Sequence, residues 1–387
     1  MPLIETQEGK KVVPVVINDK ALPVDSSHLL PVKNPASGDT VHYSQGADVA
    51  TCTQAVDAAW TAFQSWKRSS VNTRRDLLFK MADLMEQRKD QLIDVQMQET
   101  QCPKSWALNN VNTTAAYARE IAACISQACK GEIPPIDKPD TLAFVYKEAV
   151  GPVLIIPPWN AALVLAGRAL CTAIGAGCTV VLKSSELSPL THTLLADCFR
   201  DAGMPSGVLN SLSCARQDAA EATEAMIAHP AVRKIEFIGS AVVGRIIGSV
   251  AAKHLKPVLM ELGGKCPAIV LDDADLQKAA RLCIMGVSAY HDHPQVVMLN
   301  IFKGFHASWP DLLQHRTHHR SARRGRQVPG DACTGSWQYA GQHCCGGKHS
   351  SVCSRCSGRR KSARLQVYLR ERRGQSRTCS LVLEMAI

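Results

Sequence analysis

The chain is predicted to be an α/β protein built on a doubly wound parallel sheet. Three observations predict it. Short apolar runs alternate with helical stretches from Gly151 to Leu259. The runs are continuous Val, Ile and Leu, as strands covered on both faces require. The connections fall at Pro, Gly and Ser, which punctuate rather than continue an element.

Ahead of the alternating region, residues 50–68 and 72–99 read as helices. In the second, Leu77, Leu78, Met81, Leu84 and Met85 recur at helical spacing, with charges opposite. Residues 112–130 continue in helical style. Three prolines within 131–140 break the pattern, and 142–148 alternates like a strand. Strands are then expected at 151–156, 178–182, 208–212, 234–238 and 257–259. Helices are expected between them at 161–176, 189–202, 219–228 and 242–253. A further strand at 267–271 and a helix at 274–286 would open a second α/β domain.

There the organised pattern stops. Of 387 residues, the last 97 carry 16 Lys+Arg against 5 Asp+Glu, while the first 290 are nearly neutral with 28 against 29. The last 97 hold 8 of the 13 histidines but only 17 Leu, Ile, Val or Phe. So few apolar residues with so much charge cannot bury enough surface to fold. Runs such as Arg320-Ser321-Ala322-Arg323-Arg324 have the composition of coding sequence read out of frame, or of an unspliced intron beginning near Gly286-Val287-Ser288. Residues 1–262 are therefore expected to form one domain, with N-terminal helices and a bridging strand segment. Residues 263–290 would begin a truncated second domain, and 291–387 would be an aberrant, disordered basic tail.

The excess charge resides in that tail, so it is no sign of a nucleic-acid partner. Of the 16 cysteines, the ten before Tyr290 are scattered through apolar runs, as reduced packing thiols are. The start shows no charged and apolar leader, and no apolar stretch is long and clean enough for a bilayer. A cytoplasmic setting is expected, with no membrane partner. His343, Cys344, Cys345, His349, Cys353 and Cys356 form a conceivable zinc set. Without strands and helices around them they read as noise, so no metal is expected.

Chemistry concentrates at the carboxyl ends of the expected strands, where doubly wound folds bind ligands. Pro157-Pro158-Trp159-Asn160 follows the first; read alone, Asn160 is more readily a residue that closes a Pro-rich turn. Lys183-Ser184-Ser185-Glu186 follows the second. Lys183 and Glu186 suit the hydroxyls of a ribose, although solvated loop charges look the same. Phe237-Ile238-Gly239-Ser240-Ala241-Val242-Val243-Gly244 turns from a strand into a helix whose first N–H groups can meet a pyrophosphate. Glu261 begins Glu261-Leu262-Gly263-Gly264-Lys265 at the end of another strand, where glycines let backbone approach a ligand.

In this order, together with Asn34-Pro35-Ala36-Ser37-Gly38, these motifs resemble those of the aldehyde dehydrogenase superfamily. The resemblance covers roughly residues 34–286, and its flavour is that of the salicylaldehyde and benzaldehyde dehydrogenases. It implies NAD-dependent oxidation of an aromatic aldehyde to the acid, with a cysteine attacking the aldehyde and hydride passing to the dinucleotide. It implies Glu261 as general base and Asn160 as donor to the developing oxyanion. It implies cofactor contacts from Pro157, Trp159, Lys183, Glu186, Phe237, Gly239, Ser240, Val243, Leu262 and Gly263. Glu186 would repel a 2′-phosphate, which favours NAD over NADP. Intact members are homo-oligomers.

The chain departs from the family at one position that matters. The nucleophile should follow a few dozen residues after Glu261, yet no cysteine lies between Cys283 and Cys333. Cys266 and Cys283 read as packing cysteines rather than replacements. The expectation is an inactive relative of the enzymes, with a non-catalytic NAD-binding fragment as the alternative.

Overall fold

The computed structural model describes residues 3–264, 268–270, 273–288, 336–337, 365–370 and 380–385. It divides into two compact units, Met1–Leu262 and Gly263–Ile387.

The first unit begins with strands β1 (Ile4–Glu5), β2 (Lys11–Val13), β3 (Val16–Ile17), β4 (Lys20–Ala21), β5 (Leu29–Lys33) and β6 (Thr40–Gln45). Four helices follow: α1 (Val49–Trp66), α2 (Val71–Gln87), α3 (Lys89–Thr100) and α4 (Lys104–Ala128). Then strands and helices alternate: β7 (Val153–Ile156), α5 (Ala162–Gly175), β8 (Val180–Lys183), α6 (Pro189–Asp201), β9 (Leu209–Leu212), α7 (Ala219–Ala228), β10 (Lys234–Gly239), α8 (Ala241–Lys253) and β11 (Val258–Leu262).

The main sheet runs β11-β10-β7-β8-β9-β3-β4. Its first five strands are parallel, and β3 pairs antiparallel with both β9 and β4. A smaller sheet runs β1-β2-β6-β5. Each parallel strand sends alternate residues to opposite faces. Val153, Ile155, Val180, Leu182 and Ile238 join a core packed with residues of α2, α4, α5 and α6. Leu154, Val181, Ile235 and Phe237 join the opposite core, with residues of α1, α7 and α8. Helices on both faces of a parallel sheet are the expected doubly wound arrangement.

Side-chain caps fix where several helices begin. Asp48 accepts from Thr51 N at 2.7 Å at the start of α1, and Ser70 accepts from Thr73 N at 3.0 Å at the start of α2. Such caps contribute about 1 kcal/mol each. The start of α6 is satisfied from a distance instead. Buried Glu99 accepts from Leu190 N at 2.8 Å, from Thr191 N at 2.9 Å and from the Thr191 hydroxyl at 2.6 Å. His42 Nε2 lies 3.0 Å from the same carboxylate.

Two expectations are corrected. The single helix over 72–99 is two helices, α2 and α3, because Arg88 leaves helical geometry at ψ 16°. The apolar spacing continues across that break, so periodicity alone could not show it. The strand over 142–148 is reduced to one bridge between Glu132 and Val145. Leu142, Phe144, Val145 and Tyr146 are exposed there, so the alternation has no covered face behind it.

In the second unit, β12 (Ala268–Val270) and α9 (Leu276–Ser288) are accompanied by β13 (Ser336–Trp337), β14 (Leu365–Arg370) and β15 (Ser380–Met385). These strands form an antiparallel sheet in the order β12-β15-β14-β13. Asp275 opens α9, accepting from Gln277 N and Lys278 N. Cys266 and the six residues of the conceivable zinc set lie outside the described residues.

Candidate active site

The register of the sheet brings the sequence-predicted residues of the first unit to one edge. Phe237 of β10 pairs with both Ile156 of β7 and Met260 of β11, and Ile238 pairs with Glu261. Lys183 closes β8 opposite Leu212. The segments that leave β7, β8 and β10, together with the end of β11, therefore emerge along the same carboxyl edge of the sheet. Gly263 belongs to the second unit and is exposed.

Pro157 is buried and Trp159 is exposed. The backbone carbonyl of Asn160 accepts a hydrogen bond from the Trp106 indole at 3.1 Å. Its side-chain Oδ1 is buried without a partner among the described residues. Trp106 lies on α4, 54 residues away in sequence, and no motif marks it.

Lys183 is only 9% exposed, and its ammonium makes no ion pair among the described residues. Glu186, half-buried, lies in the turn between β8 and α6, whose far end Glu99 secures.

Ser240 caps α8, accepting from Val243 N at 3.3 Å, which leaves the N–H groups of Ala241 and Val242 without a side-chain cap. Val243 is 44% exposed beside them. Two glycines allow close packing here. A Cβ on Gly244 would meet the Leu262 side chain at 2.7 Å, and one on Gly239 would meet the Phe237 ring at 2.7 Å. Any larger residue at Gly244 would require the Leu262 side chain to shift.

Glu261 is half-exposed on β11, and its carboxylate is hydrogen-bonded to the guanidinium of Arg168 from α5. Arg168 was not anticipated from the sequence. The signal available was its position eight residues after Asn160, on the helix that follows β7.

In the second unit, Cys283 of α9 is half-buried, and burial pushes its thiol pKa up. A thiol so disposed is a poor nucleophile, because the thiolate is the reactive form. Among the described residues, no group of three or more His, Cys, Asp or Glu could hold a metal ion, and no helix is long and apolar enough to cross a membrane.

Among known proteins, the chain is similar to vanillin dehydrogenase of Pseudomonas fluorescens. The two are 41% identical over 286 residues, 74% of this chain and 58% of the relative. It is 43% identical over 253 residues to salicylaldehyde dehydrogenase of Pseudomonas sp. (strain C18), covering 65% of this chain and 52% of the relative. The chain thus spans little more than half the length of these relatives.

A crystal structure of salicylaldehyde dehydrogenase from Pseudomonas putida G7, complexed with salicylaldehyde, superposes with a TM-score of 0.69 at 40% identity. The match covers 71% of this chain and 57% of that one. An NAD+ complex of an aldehyde dehydrogenase from Bacillus cereus gives 0.67 at 32% identity, over 73% and 57% of the two chains. An NADP-dependent enzyme of E. coli gives 0.69 at 29% identity, over 72% and 57%. The family model described as aldehyde dehydrogenase matches residues 23–292, a span that takes in Asn160, Lys183, Ser240 and Glu261. The chain belongs to the aldehyde dehydrogenase family.

Proposed function

We propose that residues 1–262 bind a nicotinamide dinucleotide, NAD in preference to NADP, at the carboxyl edge of the main sheet. The observation that carries this is Lys183, a lysine only 9% exposed at the end of β8, which makes no ion pair among the described residues. Its three donors suit the vicinal hydroxyls of a ribose, and Glu186 beside it would accept from them. The carboxylate of Glu186 opposes a phosphate on the 2′ position, and this favours NAD. The start of α8 meets the pyrophosphate with backbone N–H groups and the positive end of its dipole.

The chemistry for which this site is built is oxidation of an aromatic aldehyde. The similarity to vanillin and salicylaldehyde dehydrogenases supports that substrate class. A bound dinucleotide would supply the hydride acceptor for such an oxidation. Asn160 would donate to the oxygen on which negative charge develops, and the Trp106 bond to its backbone holds it for that task. Glu261 would take a proton from the attacking group.

Covalent attack needs a thiolate, and no cysteine occurs between Cys283 and Cys333. The chain as written therefore binds the dinucleotide without turning over aldehyde. Two measurements test this reading. Calorimetry with NAD should give saturable binding, and its absence from a folded chain would sink the proposal. An absorbance assay with salicylaldehyde or vanillin and NAD should stay at background; robust turnover would overturn the non-catalytic half.

A further inference from the structure

Cys52 and Cys214 are 162 residues apart in sequence, yet their sulfurs lie 3.9 Å from each other. Both are free thiols, buried at 0% and 2% exposure. The backbone brings them together. The segment leaving β9 runs beside the segment entering α1: Ser213 forms a parallel bridge with Gly46, and its carbonyl accepts from Ala47 N at 2.7 Å. Cys214 comes next on one side. On the other, Asp48 caps α1 through Thr51 N, and Cys52 N donates to the Asp48 carbonyl at 3.0 Å, which places Cys52 on the first turn.

A disulfide needs its sulfurs about 2 Å apart, so this pair must close by roughly a further 2 Å, a distance within reach of a χ1 rotation. The surroundings sort the two thiols. The contact with Cys52 lowers the pKa of Cys214; burial opposes this, Lys183 adds to the fall, and Asp218 and Asp48 work against it. Lys183 is near because it pairs with Leu212, two residues before Cys214. The contact with Cys214 and burial both raise Cys52. Cys214 is thus the better nucleophile of the two.

We propose that Cys52 and Cys214 are a redox pair that forms a reversible disulfide, closed by hydrogen peroxide. Depth selects this oxidant, since so enclosed a pair admits a small uncharged molecule and turns away a bulky one such as glutathione disulfide. The Cys214 sulfur attacks one peroxide oxygen, the O–O bond breaks, and the departing oxygen leaves as water with the thiol proton. Cys214 is then a sulfenic acid. The Cys52 sulfur attacks it, the S–O bond breaks, the hydroxyl leaves as water with the Cys52 proton, and the S–S bond forms. The two thiols have passed two electrons to the peroxide. The new bond ties α1 to the segment that leaves β9 and restricts the unfolded chain by closing a long loop. No step requires a dinucleotide.

Peptide mapping by mass spectrometry tests this on the full chain, treated with peroxide under native conditions, alkylated and digested. A peptide pair joined through Cys52 and Cys214 is expected, reversed by dithiothreitol and accompanied by a higher urea midpoint. Cys52→Ala should leave Cys214 as a sulfenic acid that dimedone traps. If that variant does not fold, the map of the unaltered chain decides alone. Absence of the joined pair while exposed Cys124 is oxidised, or its formation only in urea, would overturn the proposal. Equal closure by glutathione disulfide would overturn the choice of oxidant.

Discussion

Strand β8 lies between β7 and β9, and all four of its residues are buried. Strand β11 is the last of the same sheet, with β10 as its neighbour, and none of its five residues is fully buried. Lys183 ends the first strand and Glu261 lies on the second, so the two halves of the site are held differently. The half proposed to bind the cofactor is built into a core on both faces. The half that carries Glu261, the proposed base, stands on an edge, where Arg168 is hydrogen-bonded to its carboxylate. Rigid placement suits recognition of a constant group. A looser placement suits a group that must gain and lose a proton.

The largest expected effect tests that contrast in stability. Leu182→Ala on β8 should cost about 2–5 kcal/mol, because the cavity it leaves is enclosed. Leu259→Ala on β11, at 43% exposure, should cost no more than about 1 kcal/mol. Urea unfolding of the two variants measures both. Equal losses would break the distinction between interior and edge.

A pH effect of similar size is expected on the interior side. His192 of α6 is fully buried, and burial lowers its pKa to about 4, opposed in part by the backbone of Ala162. The unfolded chain binds that proton near 6.5, so it holds more protons than the folded chain between the two values. Stability from this group is complete above pH 6.5 and is lost as pH falls toward 4, by about 3 kcal/mol in all. In His192→Leu the urea midpoint should lose most of this slope. An unaltered slope would place the titrating group elsewhere.

Glu99→Ala should cost about 3 kcal/mol, since two backbone N–H groups, a hydroxyl and His42 lose their acceptor together. Trp106→Phe is expected to matter least, at about 1 kcal/mol for one lost hydrogen bond to Asn160. Its thermal midpoint should move by a few degrees or less, and a collapse of folding would give Trp106 a larger structural role than this contact supplies.

Much of the layered fold was legible in the sequence, because strands buried on both faces read as unbroken Val, Ile and Leu, as Val153–Ile156 does. The positions of Asn160, Lys183, Ser240 and Glu261 along the sheet were legible for another reason. Each sits just past or near the end of a strand, where chemistry is tied to a local turn. The partners that hold them were not legible. Arg168 and Glu261 are 93 residues apart, Glu99 and the start of α6 are 91 apart, and Trp106 and Asn160 are 54 apart. No local pattern records such contacts. The break at Arg88 was hidden because α2 and α3 both send apolar residues into one core. The expected zinc-like noise of the basic tail lies outside the described residues.

The account stands or falls on Lys183. Titration calorimetry of NAD into the full chain and into Lys183→Met tests it most directly. The account expects saturable binding by the unaltered chain, weakened about 10–100-fold in the variant, since hydrogen bonds from a charged donor contribute about 1.5–3 kcal/mol. Equal affinity in both chains, or no saturable binding by a chain that melts cooperatively, would contradict it.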